Sequence, residues 1–345
     1  MIPIQNIYYM LSYAFQVLNE QGYKNIATEQ FHNTGELMAA ILEKGIAIQL
    51  KRGLGKEYIP QTEALSSLRG KIDIAESINT QSMLRKQLIC TYDEFSVNSI
   101  MNRIIKSTVE LLLRSNISKQ RKKNLRKLMV YFSGVDFIDL YTVNWNVQYN
   151  RNNQTYRMLI SICYLVVKGL LQTQSNGHTK LMDFLDEQRM CRLYEKFILE
   201  YYRREFKNQI TANASQIPWQ LDNEENSMLP VMQSDIMLQS GEKVLIIDAK
   251  YYEHSTQVQF DKHTLHSGNL YQIFTYVKNK EYELREKDHT VSGMLLYAKT
   301  DEAIYPNNVY QMSGNQITVR TLDLNLPFDE IAGQLNTIAK THFDL

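Results

Sequence analysis

Glycine and proline are scarce in this sequence, 14 and 6 among 345 residues, so few sharp turns are available to it. Cysteine is scarcer still. Cys90, Cys163 and Cys191 lie far apart and never form a C-x-x-C pair, which argues against structural zinc and a disulfide framework and fits a reducing compartment. No excess charge of either sign exists: 38 Lys and Arg against 37 Asp and Glu leave a formal net charge of +1. Any basic surface must therefore be local. The longest apolar run, "MLISICYLVV", stops at Lys168 and is too short to span a bilayer. "MIPIQNIYYM" has neither a basic n-region nor a long apolar core, so it is not a signal peptide. These absences predict a cytoplasmic protein with no membrane segment. A phosphate-binding G-x-x-x-x-G-K-[ST] loop is also missing, since "GLGKEY" has neither its spacing nor its strand-to-helix context; any nucleotide-driven motor must be another chain. His263 and His266 have no third ligand at a suitable spacing for zinc.

What is present is an ordinary globular composition, 44% apolar and 22% charged, on a chain long enough for two domains. Apolar spacing predicts helices over 3–19, 35–50 and 98–115, the last with Ile100, Ile104, Thr108, Leu111 and Leu112 on one stripe. Residues 51–95 mix short alternating runs with Gly and Pro and predict small strands and loops. Six Lys or Arg fall between 119 and 127, where a helix continues; a solvated face and a contact with phosphates or an acidic partner both fit. The polar, Asn-rich stretch 143–156 is the best linker, which places a boundary near 150 and divides the chain into 1–150 and 151–345. Beyond it come helices at 156–171 and 189–207, a hairpin within 228–252, a helix at about 268–279 and strands near 291–298 and 316–322. The fold class is α/β (α+β), a mixed N-terminal domain followed by a domain with a central sheet flanked by helices.

The hairpin carries the chemistry. "VLIIDAKYY" (244–252) is a buried strand in its first half, yet it ends in an acid and a base. Ser240-Gly241-Glu242-Lys243 is the turn signal. If these four form the loop, Gln239 faces Val244, and Asp235 falls opposite Asp248. Lys250 shares the face of Asp248, while Ala249 points away. Two carboxylates so placed repel each other unless a cation lies between them, and with a backbone carbonyl they make the hard oxygen set that Mg²⁺ prefers. A plain cross-strand ion pair at a sheet edge has the same pattern.

Two further features bear on that choice. Glu195 in "RMCRLYEKFILEYYRRE" has Cys191, Ile198, Leu199 and Tyr202 as helical neighbours, so it needs a buried partner. Glu200 has Lys196, Arg203 and Arg204 around it and behaves as a surface ion-pair residue. In "GNLYQIFTYVKN", Leu270, Ile273, Phe274 and Val277 form an apolar face. Asn269, Gln272, Thr275, Tyr276 and Asn279 form a polar stripe, with Gln272 and Tyr276 one turn apart.

The order Glu195, Asp235, Asp248-Ala249-Lys250, Gln272-x-x-x-Tyr276 resembles the PD-(D/E)xK nuclease superfamily, its RecB-like branch in particular. Ser234 stands where the proline of "PD" would be. With "IPIQNIYYMLSYAF", "NRIIKSTVELLL", "LYEKFILEYYRRE" and "IIDAKYY…NLYQI", the resemblance extends over nearly the whole chain to the McrC family, the nuclease subunits of modified-cytosine-dependent restriction systems. It implies a PD-(D/E)xK nuclease-like domain in 151–345 and a motor-docking domain in 1–150. The implied partner is an McrB-like hexameric AAA+ GTPase that carries the methylcytosine reader and whose GTP hydrolysis is stimulated. The implied substrate is double-stranded DNA with modified cytosine. On this reading Asp235, Asp248 and the carbonyl of Ala249 bind Mg²⁺, and Glu195 completes the site directly or through water. Lys250 orients the attacking water and stabilises the phosphoryl charge, and Gln272 with Tyr276 positions Lys250 or a phosphate. A nuclease fold serving only as a motor's activator, and a nuclease without a motor, are the rival readings.

Overall fold

The computed structural model describes residues 2–19, 23, 26, 29, 31–150, 153, 155–175, 187–223, 228–252, 257–259, 262–299 and 305–345. The chain divides into two compact units, one of residues Thr28–Phe184 and one combining Met1–Ala27 with Leu185–Leu345. The first helix, α1 (Ile4–Ala14), thus belongs with the C-terminal part of the sequence.

The unit 28–184 is mainly helical. Its α2 (Thr34–Arg52) starts where the Asn33 side chain accepts the Glu36 N–H and stops at Gly53, whose φ of +90° suits glycine. A three-stranded antiparallel sheet follows, with β1 (Glu57–Leu65), β2 (Lys71–Asp73) and, after the short α3 (Ile74–Asn79), β3 (Leu88–Ser96) in the order β1-β3-β2. Next come α4 (Ile100–Arg114), capped by Ser99, α5 (Lys119–Met129), capped by Ser118, and α6 (Tyr156–Ser175). The buried stripe of α4 runs through Met101, Ile104, Ile105, Thr108 and Leu112, so it is turned by about one residue from the predicted one, and Ile100 is exposed.

Arg121 resolves part of the basic run. It is not a surface residue: its guanidinium pairs with Glu36 at 3.3 Å, with Glu43 at 2.8 Å and with Glu29. Among the described residues, Lys119, Lys122, Lys123, Arg126 and Lys127 have no carboxylate partner, and all but the half-buried Lys122 are exposed.

The second unit continues with α7 (Glu187–Glu205), β4 (Thr211–Asn213), β5 (Gln216–Ile217), β6 (Met232–Gln233), β7 (Ile236–Ser240), β8 (Lys243–Lys250), β9 (Gln257–Gln259) and β10 (Lys262–Thr264). After these come α8 (Ser267–Glu283), β11 (Thr290–Ala298), β12 (Asn308–Met312), β13 (Asn315–Leu322) and α9 (Phe328–Phe343). The central sheet has six strands in the order β12-β13-β11-β8-β7-β4. Strand β11 runs parallel to β8 and β13, and the remaining neighbours pair antiparallel. Parallel strands need both faces covered, which explains why β8 is an unbroken apolar run rather than an alternating one. On one face α8 buries Ile273 and Val277 against Val244, Ile246, Leu295, Ile317 and Val319. Gly293 makes that approach possible, because a Cβ there would lie 2.8 Å from Ile273 and 2.9 Å from both Ile317 and Val277. Helices α7 and α9 pack on the sheet as well, α7 at β4, β7 and β8, and α9 at β13. The predicted central mixed sheet flanked by helices is the observed architecture.

The division of the chain differs from the one expected at 150. Tyr156 ties α6 into the helical unit: its hydroxyl accepts the Gly55 N–H at 2.7 Å and donates to Asn102 Oδ1 at 2.7 Å. At the other end, the Asn6 side chain donates to the carbonyls of Leu324 (2.7 Å) and Leu326 (2.8 Å), and Tyr13 packs on Phe197 and Tyr201. The polar composition of 143–156 reports exposure, and exposure alone does not mark a domain boundary.

Candidate functional site

The β7–β8 hairpin has the predicted register. Gln239 pairs with Val244, and Ile236 with Ile247, so one step further Asp235 stands opposite Asp248. The turn is tighter than predicted. Ser240 pairs with Lys243, leaving only Gly241 and Glu242 in the loop, with Gly241 at φ +57° as a primed two-residue turn demands. Asp235 lies just outside the ladder, and its Oδ2 accepts the Ala249 N–H at 2.9 Å. That bond clamps the acid to the end of β8.

Asp248 is 1% exposed, and Lys250 Nζ lies 2.9 Å from its Oδ2. That ammonium is the charge partner of the carboxylate, and among the described residues no other side chain donates to its two buried oxygens. Burial pushes the Asp248 carboxyl well above the usual carboxylate range, against the pull of Lys250 and with help from the charge of Asp235. Burial works against the charge of Lys250 too. The Asp248 carboxylate more than offsets that and holds the ammonium above its ordinary value.

Helix α8 supplies the next contacts. Lys250 Nζ donates to Gln272 Oε1 at 3.3 Å, and Gln272 Nε2 donates to the Tyr276 hydroxyl at 2.9 Å. The polar stripe of α8 is therefore not a solvated side. Asn269 donates to the Tyr297 hydroxyl at 2.9 Å and accepts from the Tyr252 hydroxyl at 3.3 Å, and Asn279 accepts the Gln220 N–H at 2.8 Å. Tyr252 also packs on the rings of His266 and Tyr297, as a wall of the site.

Glu195 comes from α7. Burial raises its carboxyl, and the charge of Asp235 raises it further. Its Oε1 accepts the Cys191 thiol proton at 3.1 Å. Glu200, by contrast, pairs with Arg203 at 2.8 Å, as its neighbours predict. All the predicted site residues thus gather at the end of β8: Asp235, Asp248, Ala249 and Lys250 on the hairpin, Gln272 and Tyr276 on α8, Glu195 on α7. Cys191, Asn269 and Tyr297 touch the site as well. In the sequence only the helical offset of four from Glu195 points to Cys191.

The arrangement contains the ion pair of the plainer reading, but three acids share one lysine. Among the described residues, no three His, Cys, Asp or Glu side chains are close enough to hold a metal ion by themselves. Mg²⁺ asks for less, usually one or two carboxylates with water completing its shell. Two aspartates, one of them buried, and the adjacent Ala249 carbonyl are all hard oxygen donors, and they fit that ion. Among the described residues no helix is long and apolar enough to cross a membrane.

The chain is also similar to known proteins. A family model described as "McrBC 5-methylcytosine restriction system component" matches residues 5–298. A type IV methyl-directed restriction enzyme, EcoKMcrBC of Escherichia coli (strain K12), is 30% identical over 329 residues, covering 94% of this chain and 93% of the relative. Two solved assemblies from Thermococcus gammatolerans also align. A half-complex of McrB AAA+ hexamers with bound McrC gives a TM-score of 0.48 at 19% identity, over 97% of this chain and 76% of the other. An McrBC complex gives 0.41 at 21% identity, over 59% of each.

Proposed function

Because this chain belongs to the McrBC 5-methylcytosine restriction system component family, we propose that it is the DNA-cleaving subunit of a modified-cytosine-dependent restriction complex. It is a Mg²⁺-dependent endonuclease of the PD-(D/E)xK type, works in the cytoplasm on double-stranded DNA, and stimulates an McrB-like hexameric AAA+ GTPase. The observation that carries this reading is the Asp248 carboxylate, 1% exposed, beside a second aspartate and with one lysine as its charge partner. Several buried acids around one ammonium keep lone pairs unfilled, which costs a fold stability, and a bound cation is what would compensate.

Asp235, Asp248 and the Ala249 carbonyl would hold Mg²⁺, with Glu195 joining directly or through water. When bound, the ion supplies Lewis-acid stabilisation of the phosphoryl oxygens and a more acidic attacking water. The protein's own groups do the rest. Lys250 keeps its proton, so its charge is available to the negative phosphoryl oxygens and to the water that attacks in line. Gln272 Oε1 accepts from Lys250 and fixes the direction of that charge, and Tyr276 fixes Gln272. Glu195, with its raised affinity for a proton, is suited to accept one from that water. The superfamily's pattern leaves 5′-phosphate and 3′-hydroxyl ends.

The test is reconstitution. The chain is mixed with its GTPase, GTP, Mg²⁺ and methylated or unmethylated DNA. Methylated DNA should be cut by the wild type, whereas Asp248→Ala and Lys250→Ala should cut neither substrate while still stimulating GTP hydrolysis. Wild-type cutting by either variant overturns the nuclease assignment. GTPase stimulation with no cutting by the wild type would leave an adaptor.

A further inference from the structure

Cys191 lies on α7 one turn before Glu195, where residues four apart share a helix face. Its sulfur is 3.1 Å from Glu195 Oε1 and 3.8 Å from the carbonyl oxygen of Ala249. The backbone N–H of Tyr251 bonds to the same sulfur. A protonated thiol has one hydrogen to give, and the nearer acceptor is the glutamate. Cys191 therefore touches the two proposed cation ligands that are not aspartates: the carboxylate carried by α7 and the Ala249 carbonyl at the end of β8. No other described side chain donates to Glu195.

We propose that Cys191 is a positioning residue, whose thiol fixes the Glu195 carboxylate against the end of β8 and so sets how strongly the site holds a divalent cation. The proposal rests on the nuclease reading above. A carboxylate on a free rotor would lose side-chain entropy each time it joined an ion, and the thiol bond spends that entropy in advance. The thiol is a weak donor, so its effect belongs on cation affinity rather than on the maximal rate.

The experiment compares Cys191→Ala and Cys191→Val, which remove the donor with smaller and larger side chains, with Cys191→Ser, which keeps one. Each variant is assayed for DNA cleavage in the reconstituted complex across a Mg²⁺ titration. Mn²⁺ binding to the full chain alone, followed by electron paramagnetic resonance, gives a readout independent of activity. Ala and Val should each raise the half-saturating Mg²⁺ and weaken Mn²⁺ binding on the order of tenfold, with the rate at saturating Mg²⁺ within about twofold of wild type. Ser should stay near wild type in both measurements. Unchanged cation affinity in Ala or Val overturns the proposal, and so does a Ser variant as impaired as Ala, because packing rather than donation would then be at work. Asp248→Asn is the control that separates the two levels. If it binds Mn²⁺ as the wild type does, the nuclease reading itself falls; if it loses Mn²⁺ while Ala and Val do not, only the role of Cys191 falls.

Discussion

Two clusters in this chain contain one basic side chain and three acids: Arg121 with Glu29, Glu36 and Glu43, and Lys250 with Asp235, Asp248 and Glu195. Their charge counts are the same, yet their hydrogen bonding differs. Around Arg121 every acid has a donor, and the two more buried ones have further donors. Glu36 accepts from the Ser118 N–H (2.7 Å) and Oγ (2.8 Å), Glu43 accepts from Asn124 Nδ2 (2.9 Å), and the guanidinium donates to all three. At the end of β8, the most buried acid has only the Lys250 ammonium beside it among the described residues. A saturated cluster holds α2 and α5 together and has no capacity left for a ligand. An unsaturated one keeps lone pairs that a cation can take. Net charge does not separate scaffold from site; the fate of each oxygen does.

Substitutions in the two clusters should have opposite consequences. Asp248→Asn or Lys250→Ala should lower cleavage by roughly 10²–10³-fold or more, in line with the loss of a preorganised charge at a reacting phosphate. Both should leave the thermal melting of the helical unit in place. Arg121→Ala should do the reverse. Leaving three carboxylates together without their cation should cost about 3–5 kcal/mol of stability, seen as a lower urea midpoint, and activity should fall only with the folded fraction. Equal melting of the two variants would erase the distinction.

Glu195 and Glu200 sharpen the contrast within one helix. Glu195→Gln should lower cleavage about 10–100-fold and shift its Mg²⁺ dependence. Glu200→Gln removes only an ion pair with a partly exposed Arg203 and should change stability by less than about 1 kcal/mol. Matching effects in a Mg²⁺ titration would show that the two glutamates do not differ in role.

Gly293→Ala probes the seating of α8, which carries Gln272 and Tyr276. The added Cβ would crowd Ile273, Val277 and Ile317, at a cost of about 1–3 kcal/mol read by denaturant unfolding. No loss of stability would mean that α8 can shift without consequence.

A further contrast is in pH. The Asp248 carboxyl is raised in the folded state, so its stabilising contribution is complete below the unfolded carboxylate range and is lost as pH rises through the raised folded value. In the absence of divalent ions, wild type should lose melting temperature relative to Asp248→Asn between about pH 4 and neutral pH, with the gap constant above that. Parallel curves would contradict a raised Asp248.

Much of this was legible in the sequence, for reasons that can be named. The hairpin register followed from a glycine-bearing turn between two apolar runs, and a two-residue rather than four-residue loop left the pairing of Gln239 with Val244 intact. The face of Glu195 followed from helical spacing. Arg121 was not legible in a run of six basic residues, although Leu125, one turn later, is fully buried and marks the face that Arg121 shares. Helix α9 went unread despite Ile331, Leu335 and Ile338 at helical spacing, and its buried side chains cover the sheet. The return of α1 to the C-terminal unit depends on contacts such as Asn6 with Leu324, separated by 318 residues, which no local pattern encodes.

The acids at the end of β8 are proposed to seat a divalent cation, whereas those around Arg121 are not. Mn²⁺ titration of the full chain, followed by electron paramagnetic resonance, separates the two clusters with wild type, Asp248→Asn and Glu43→Gln. One Mn²⁺ site is expected in the wild type, retained in Glu43→Gln and lost in Asp248→Asn. A site that survives Asp248→Asn, or one that disappears with Glu43→Gln in a folded chain, would contradict that assignment.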